Sequence, residues 1–191
     1  SRARAVASAI IAGLSALRPK TLARISGVIS GTNGLTKSGH GDLILTGANT
    51  YTGLTTVSAG TLRSGADHAI GNGDLTLNGG TLDLQSFSDT VAALTLTSGS
   101  ITGSGLLTAA SHSLVAGTIS ARLGGAAATL SKSGSAYTNS ATLSGANTYG
   151  GATTLGTNSG SLVLANNSAL GETPSIDVTG SGSALVLADG I

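Results

Sequence analysis

One strand-and-turn unit occurs twice in this chain. The first copy runs from Leu35 to Leu77 as LTKSGHGDLILTGANTYTGLTTVSAGTLRSGADHAIGNGDLTL, and the second from Leu130 to Gly171 as LSKSGSAYTNSATLSGANTYGGATTLGTNSGSLVLANNSALG. The marker Gly-Ala-Asn-Thr-Tyr stands at Gly47–Tyr51 and returns at Gly145–Tyr149. Leu35-Thr36-Lys37-Ser38-Gly39 matches Leu130-Ser131-Lys132-Ser133-Gly134, and Gly60-Thr61-Leu62 matches Gly160-Ser161-Leu162. The offset drifts from about 95 to about 100 residues through small insertions in turns, as stacked repeats allow. Short apolar-alternating runs such as Leu43-Ile44-Leu45, Thr55-Thr56-Val57 and Leu75-Thr76-Leu77 are separated by Gly, Asn, Ser and Asp. Runs this short cannot make a stable flat sheet. Wound into a coil of roughly twenty residues they can stack in parallel, each bonded to the coils above and below.

Between the two copies, residues 78–129 keep the same style in Gly80-Thr-Leu-Asp-Leu84, Ala93-Leu-Thr-Leu-Thr97 and Gly117-Thr-Ile-Ser-Ala121. Ser175-Ile-Asp-Val178 and Ala184-Leu-Val-Leu187 continue it to the end. The expectation is an all-β, single-stranded parallel β-helix over residues 25–191, with about eight coils and a body about 40 Å long at about 4.8 Å per layer. Composition fits a narrow tube. There are 30 Gly, three Tyr, one Phe and no Trp, Met or Cys, so Leu, Val, Ile, Ala and Thr must fill the interior. Glycine supplies the positive φ of tight corners, and Asn49, Asn72, Asn147 and Asn166 are further corner candidates.

Residues 1–24 differ. Val6, Ile10, Leu14 and Leu17 share one helical face, Pro19 makes Arg18 a natural end, and Arg2, Arg4, Arg18, Lys20 and Arg24 crowd the segment. Three readings stand open: a short amphipathic helix capping the first coil, a retained export signal, or unrelated upstream sequence. The open ends of such a stack present unpaired edges, so end-to-end self-association is a further expectation. The net charge is +1 and no basic stripe is interleaved with aromatics, which argues against nucleic acid as a partner. No run of 18 apolar residues exists, so no transmembrane segment is expected.

The stretch Gly34–Leu62 resembles the autotransporter passenger-associated strand repeat, whose usual form is G-x-L-T-K-x-G-x-G-x-L-x-L-x-G-x-N-x-Y-x-G-x-T-x-V-x-x-G-x-L. The copy at 130–162 departs from it where Ser135-Ala136-Tyr137-Thr138 replaces the Gly-x-Gly turn. The resemblance implies a right-handed parallel β-helix in a secreted or surface-displayed bacterial protein. It also implies that catalysis, where such proteins have it, lies outside the repeat.

Few residues could carry chemistry. Asp67-His68 and His40-Gly41-Asp42 each place a carboxylate near an imidazole, a familiar general-base pairing. In the second copy Asn167 and Ser168 replace Asp67 and His68, so solvated turn residues are the simpler reading. Asp74, Asp83 and Asp89 would suit glycoside hydrolysis if stacking brought two of them together on one flank. No calcium-binding nonapeptide repeat, nucleophile elbow, zinc motif or phosphate loop is present, so no metal or cofactor is expected. Lys37 and Lys132 read as exposed strand-end charges. Tyr51 and Tyr149 read as rings laid over the next coil with wet hydroxyls.

The expected function is a structural or adhesive module at the bacterial surface or outside the cell, a rigid shaft with carbohydrate or host-surface ligands as partners and no dedicated catalytic residue. The rival from another class is a small carbohydrate- or ester-active hydrolase using Asp67, His68 and Asp83.

Overall fold

The computed structural model describes residues 22–135 and 138–191. Strand follows strand, with one to three strands to a coil. They are β1 (Leu22–Ile25); β2 (Leu35–Lys37) and β3 (Asp42–Leu45); β4 (Thr55–Val57) and β5 (Thr61–Ser64); β6 (Leu75–Asp83) and β7 (Asp89–Thr90); β8 (Leu94–Thr102) and β9 (Leu106–Thr108); β10 (Ser111–Leu114), β11 (Gly117–Ile119) and β12 (Arg122–Gly124); β13 (Thr129–Lys132) and β14 (Ser140–Leu143); β15 (Thr153–Leu155) and β16 (Gly160–Leu164); β17 (Ile176–Val178) and β18 (Ser183–Leu187). After the β1 segment this makes about eight coils, the number expected from the spacing. Among the described residues there is no helix.

Every strand pairing is parallel and joins one coil to the next. Three faces result. Face one stacks β2, β4, the start of β6, the start of β8, β10, β13, β15 and β17. Face two stacks β1, β3, β5, the ends of β6 and β8, β11, β14, β16 and β18. Face three is the short sheet of β7, β9 and β12. Faces one and two form one continuous 15-stranded sheet because β6 and β8 bend round the corner between them, with register shifts at Leu77/Asn78 and Asn78/Thr81.

Alternation sets what faces inward. In β3 the pattern Asp42-Leu43-Ile44-Leu45 buries Leu43 and Leu45, and in β5 Leu62 and Ser64 are buried. Stacking then lines like on like: Leu43, Leu62, Leu82, Ile101, Ile119, Leu143 and Leu164 follow one another down the interior of face two. Each branched aliphatic rests on the one before it, so a tube with so few aromatics still closes its core.

Some corners admit only glycine. A Cβ on Gly53 would lie 2.3 Å from the backbone of Asn33 and Gly34 in the preceding coil. Gly60 has φ +65°, and its equivalent Gly160 has φ +75°. The asparagine corners work differently. Asn158 is the asparagine with positive φ, while Asn49 and Asn147 turn inward and bond.

The amphipathic segment over residues 1–18 lies outside the described residues. Among the described residues the parallel pairing already includes Leu22–Ile25, which stacks on Asp42–Leu45. In the last coil Ile176, Val178 and Leu187 occupy the stacking columns of the core yet are exposed, and β17 and β18 each pair on one side.

Candidate functional site

The residues that define the repeat are buried, and each bonds to backbone or to another buried side chain. Lys37 follows Leu35 on the inward side of β2 and is 2% exposed. Its Nζ donates to the carbonyls of Gly39 at 2.8 Å and Ala59 at 2.9 Å, with Ser38 at 3.4 Å. Lys132 repeats the arrangement on β13, donating to the Ser133 carbonyl at 2.9 Å and to the Ser159 carbonyl. Burial pulls both ammonium groups below the ordinary lysine range, and the nearby Asp42 charge partly offsets this at Lys37. The expectation of exposed solubilising charges is therefore corrected. Both lysines cap turn carbonyls that would otherwise be orphaned inside the corner.

Asn49 and Asn147 each tie three coils together. The Asn49 Oδ1 accepts the Ile29 N–H of the coil before at 2.7 Å, and its Nδ2 donates to the Ala69 carbonyl of the coil after. Asn147 accepts from Leu123 N–H at 2.8 Å and donates to the Ala169 carbonyl at 2.5 Å. An amide suits this position because it carries both an acceptor and a donor.

Tyr51 and Tyr149 are also corrected. They are 1% and 0% exposed, and their hydroxyls meet Thr55 Oγ1 at 2.8 Å and Thr153 Oγ1 at 3.1 Å. Burial raises both phenol pKa values. Thr55, His112 and Thr153 fall in one inward column of face one, otherwise filled by Leu35, Leu75, Leu94, Leu130 and Ile176.

Two further buried polar groups belong to neither repeat copy's matched motif. Asp89, 1% exposed, accepts from Ser64 Oγ at 2.7 Å and from Ile70 N–H at 2.8 Å. Burial raises its carboxyl pKa, against the pull of those bonds and of the His68 charge. His112 is fully buried, with Nε2 3.2 Å from the Gly124 carbonyl and its ring edge-on to Tyr149 at 5.7 Å.

The residues expected to carry chemistry do not converge. Asp67 is exposed and accepts from Ser88 N–H at 2.8 Å, so its carboxylate stitches the next coil. His68 is exposed at φ +55°, a corner conformation. The match to Ser168 is literal: Asn49 N–H bonds the His68 carbonyl as Asn147 N–H bonds the Ser168 carbonyl. Asp83 stands on the outer side of face two, 3.0 Å from Arg63 Nε, and Arg63 reaches back to Asp42 at 4.0 Å. Asp83 also accepts from Gln85 N–H at 2.9 Å. Asp74 precedes β6 while Asp83 ends it, and Asp89 points inward, so the three carboxylates are not on one flank. Among the described residues no three His, Asp or Glu side chains gather as a metal site. No helix among them is long and apolar enough to cross a membrane.

The outer surface of face one has its own order. Thr36, Thr56, Thr76, Thr95, Ser113, Ser131 and Thr154 are directly stacked over seven consecutive coils, ending on Asp177. Face two carries Thr61, Thr81, Ser100, Thr118 and Thr142 in the same way, with Thr118 Oγ1 donating to Ser100 Oγ at 3.0 Å. The spacing along each column is that of a parallel sheet, about 4.8 Å.

Comparison with known proteins agrees with this geometry. Residues 35–63 and 130–164 match the passenger-associated-transport-repeat family. A 77-residue stretch, 39% of this chain, is 43% identical to the adhesin BmaC autotransporter of Brucella suis biovar 1 (strain 1330). That stretch is 2% of the relative's length, so the chain spans a small part of it. No solved structure matches. The two matched segments cover about a third of the chain, and these matches fit a β-helical surface-protein module.

Proposed function

We propose that this chain serves as a stiff shaft segment of a secreted or surface-displayed bacterial protein and adheres through its hydroxyl-lined faces. One observation carries the reading. The polar residues of the repeat, Lys37, Asn49, Tyr51 and their second-copy equivalents, are spent inside the coil, which leaves ordered Ser/Thr columns as the surface a partner meets. Such a surface works by many weak hydrogen bonds on a stiff backbone rather than by one pocket. The adhesin similarity supports it, and the partner class is a carbohydrate or another polar ligand of a host or cell surface.

The test pairs binding with turnover. The chain with Thr36, Thr56, Thr76 and Thr95 each changed to Lys is compared with the unmodified chain on a glycan array and on cultured host cells, with circular dichroism as the fold control. Loss of binding in the folded variant supports the shaft-and-face reading. Undiminished binding contradicts it. So does hydrolysis of a chromogenic glycoside or ester that Asp67→Asn or Asp83→Asn abolishes.

A further inference from the structure

His112 occupies a column that in the adjoining coils holds Leu94 and Leu130. Its Nε2–H donates to Gly124, which leaves Nδ1 as the lone-pair nitrogen, fully buried and with no hydrogen-bond partner. A neutral ring can tolerate that. A second N–H at Nδ1 would need an acceptor, and that nitrogen has no hydrogen-bond partner. On the elements packed around it, β8 carries no titratable group. β13 offers Lys132, a cation already held by carbonyls. β12 offers Arg122, exposed and bonded to the Ala146 carbonyl, and the coil after offers the Tyr149 ring edge. The sequence contains no Asp or Glu between Asp89 and Glu172, and Asp89 is committed to Ser64 and Ile70.

We infer that His112 makes the middle of the stack an acid-labile seam, where protonation of the ring opens the β10 coil against its neighbours β8 and β13 while the coils on either side stay wound. The seam is local because each coil of a solenoid contacts only its neighbours, and β10 is held by short ladders on both sides. Burial lowers the His112 pKa to about 4. The sign follows. Between the ordinary value of 6.5 and about 4 the opened state binds more protons than the closed one, so closure weakens as pH falls through that window. The opening constant is expected to be about 70-fold larger at pH 4.5 than at pH 7.5.

Hydrogen–deuterium exchange of the whole chain at both pH values, corrected for intrinsic exchange rates, reads this directly. The unmodified chain is expected to lose protection over residues 106–132 at pH 4.5 and to keep it over 55–83. His112→Leu, which copies the neighbouring coils, is expected to keep both. His112→Gln provides a neutral hydrogen-bonding control should the leucine variant fold poorly. Equal loss in the unmodified chain and these variants, loss spread evenly along the stack, or ring NMR shifts showing His112 titrating near 6.5 in the folded chain would each overturn the inference.

Discussion

The hydroxyl of Tyr51 lies 2.8 Å from Thr55 Oγ1, four residues on along the same winding, across the corner that leads into β4. The ring thus crosses the inside of that corner and ends on a partner that is itself 0% exposed. Tyr51→Phe strands the threonine hydroxyl, and Thr55→Val leaves the phenol with the Gly71 backbone alone. Each single change is expected to cost about 1–2 kcal/mol, and the double variant less than their sum, because removing both partners leaves neither hydroxyl behind without the other. Urea-unfolding midpoints of the four chains check this.

Lys37→Met keeps an apolar stem in a column that elsewhere holds Val57, Leu77 and Leu96. It removes the donor to the Gly39 and Ala59 carbonyls. The expected loss is about 1–3 kcal/mol. A solvated surface lysine would change stability by under about 0.5 kcal/mol, so the same unfolding measurement separates the two placements.

At Asn147 the amide geometry makes the carboxylate a poor substitute. Asn147→Asp keeps the acceptor for Leu123 N–H but aims a carboxylate oxygen at the Ala169 carbonyl. The variant is expected to be destabilised by about 2–4 kcal/mol at pH 7 and by less near pH 4, where the acid regains a proton to donate. Thermal midpoints across that range report the difference.

Asp89 supplies the opposite case. Its carboxyl pKa is raised by burial, so between the ordinary value and the raised one the folded chain binds more protons than the unfolded chain. Stability therefore falls as pH rises through that window, and the penalty is complete above it. Asp89→Asn removes the charge and keeps an acceptor for Ile70 N–H and a partner for Ser64. The variant is expected to gain on the parent as pH rises above the carboxylate range and to lose the advantage in acid. Paired denaturation curves at pH 3.5 and pH 7 provide the check.

The winding of the chain was legible because its glycine-marked turns and period-two runs recur at coil length, and parallel stacking follows from strands too short to stand alone. The interior polar residues were legible in principle by parity. Lys37 sits two residues from Leu35, and His112 two residues from Leu114, so both share the inward side of their strands. Residue type misled for the lysines, since an ammonium is ordinarily a surface group and nothing in a linear string shows the carbonyls of Gly39 and Ala59 converging on it. Asp67 and His68 lie in an exposed turn, at positions where the second copy has Asn167 and Ser168. The Asp89–Ser64 bond and the Arg63–Asp83 pair join residues one coil apart, and they depend on a register that only coordinates supply.

The column Thr36, Thr56, Thr76, Thr95, Ser113, Ser131 and Thr154 also offers the most direct test of the winding itself. Nitroxide pairs anchored at Cys-substituted Thr36, with partners at Thr95, Ser113, Ser131 and Thr154, should give interspin distances that rise by about 4.8 Å with each coil. Such a linear series is the result expected of consecutive parallel turns. Distances that stay flat, alternate or scatter across the four pairs would contradict it.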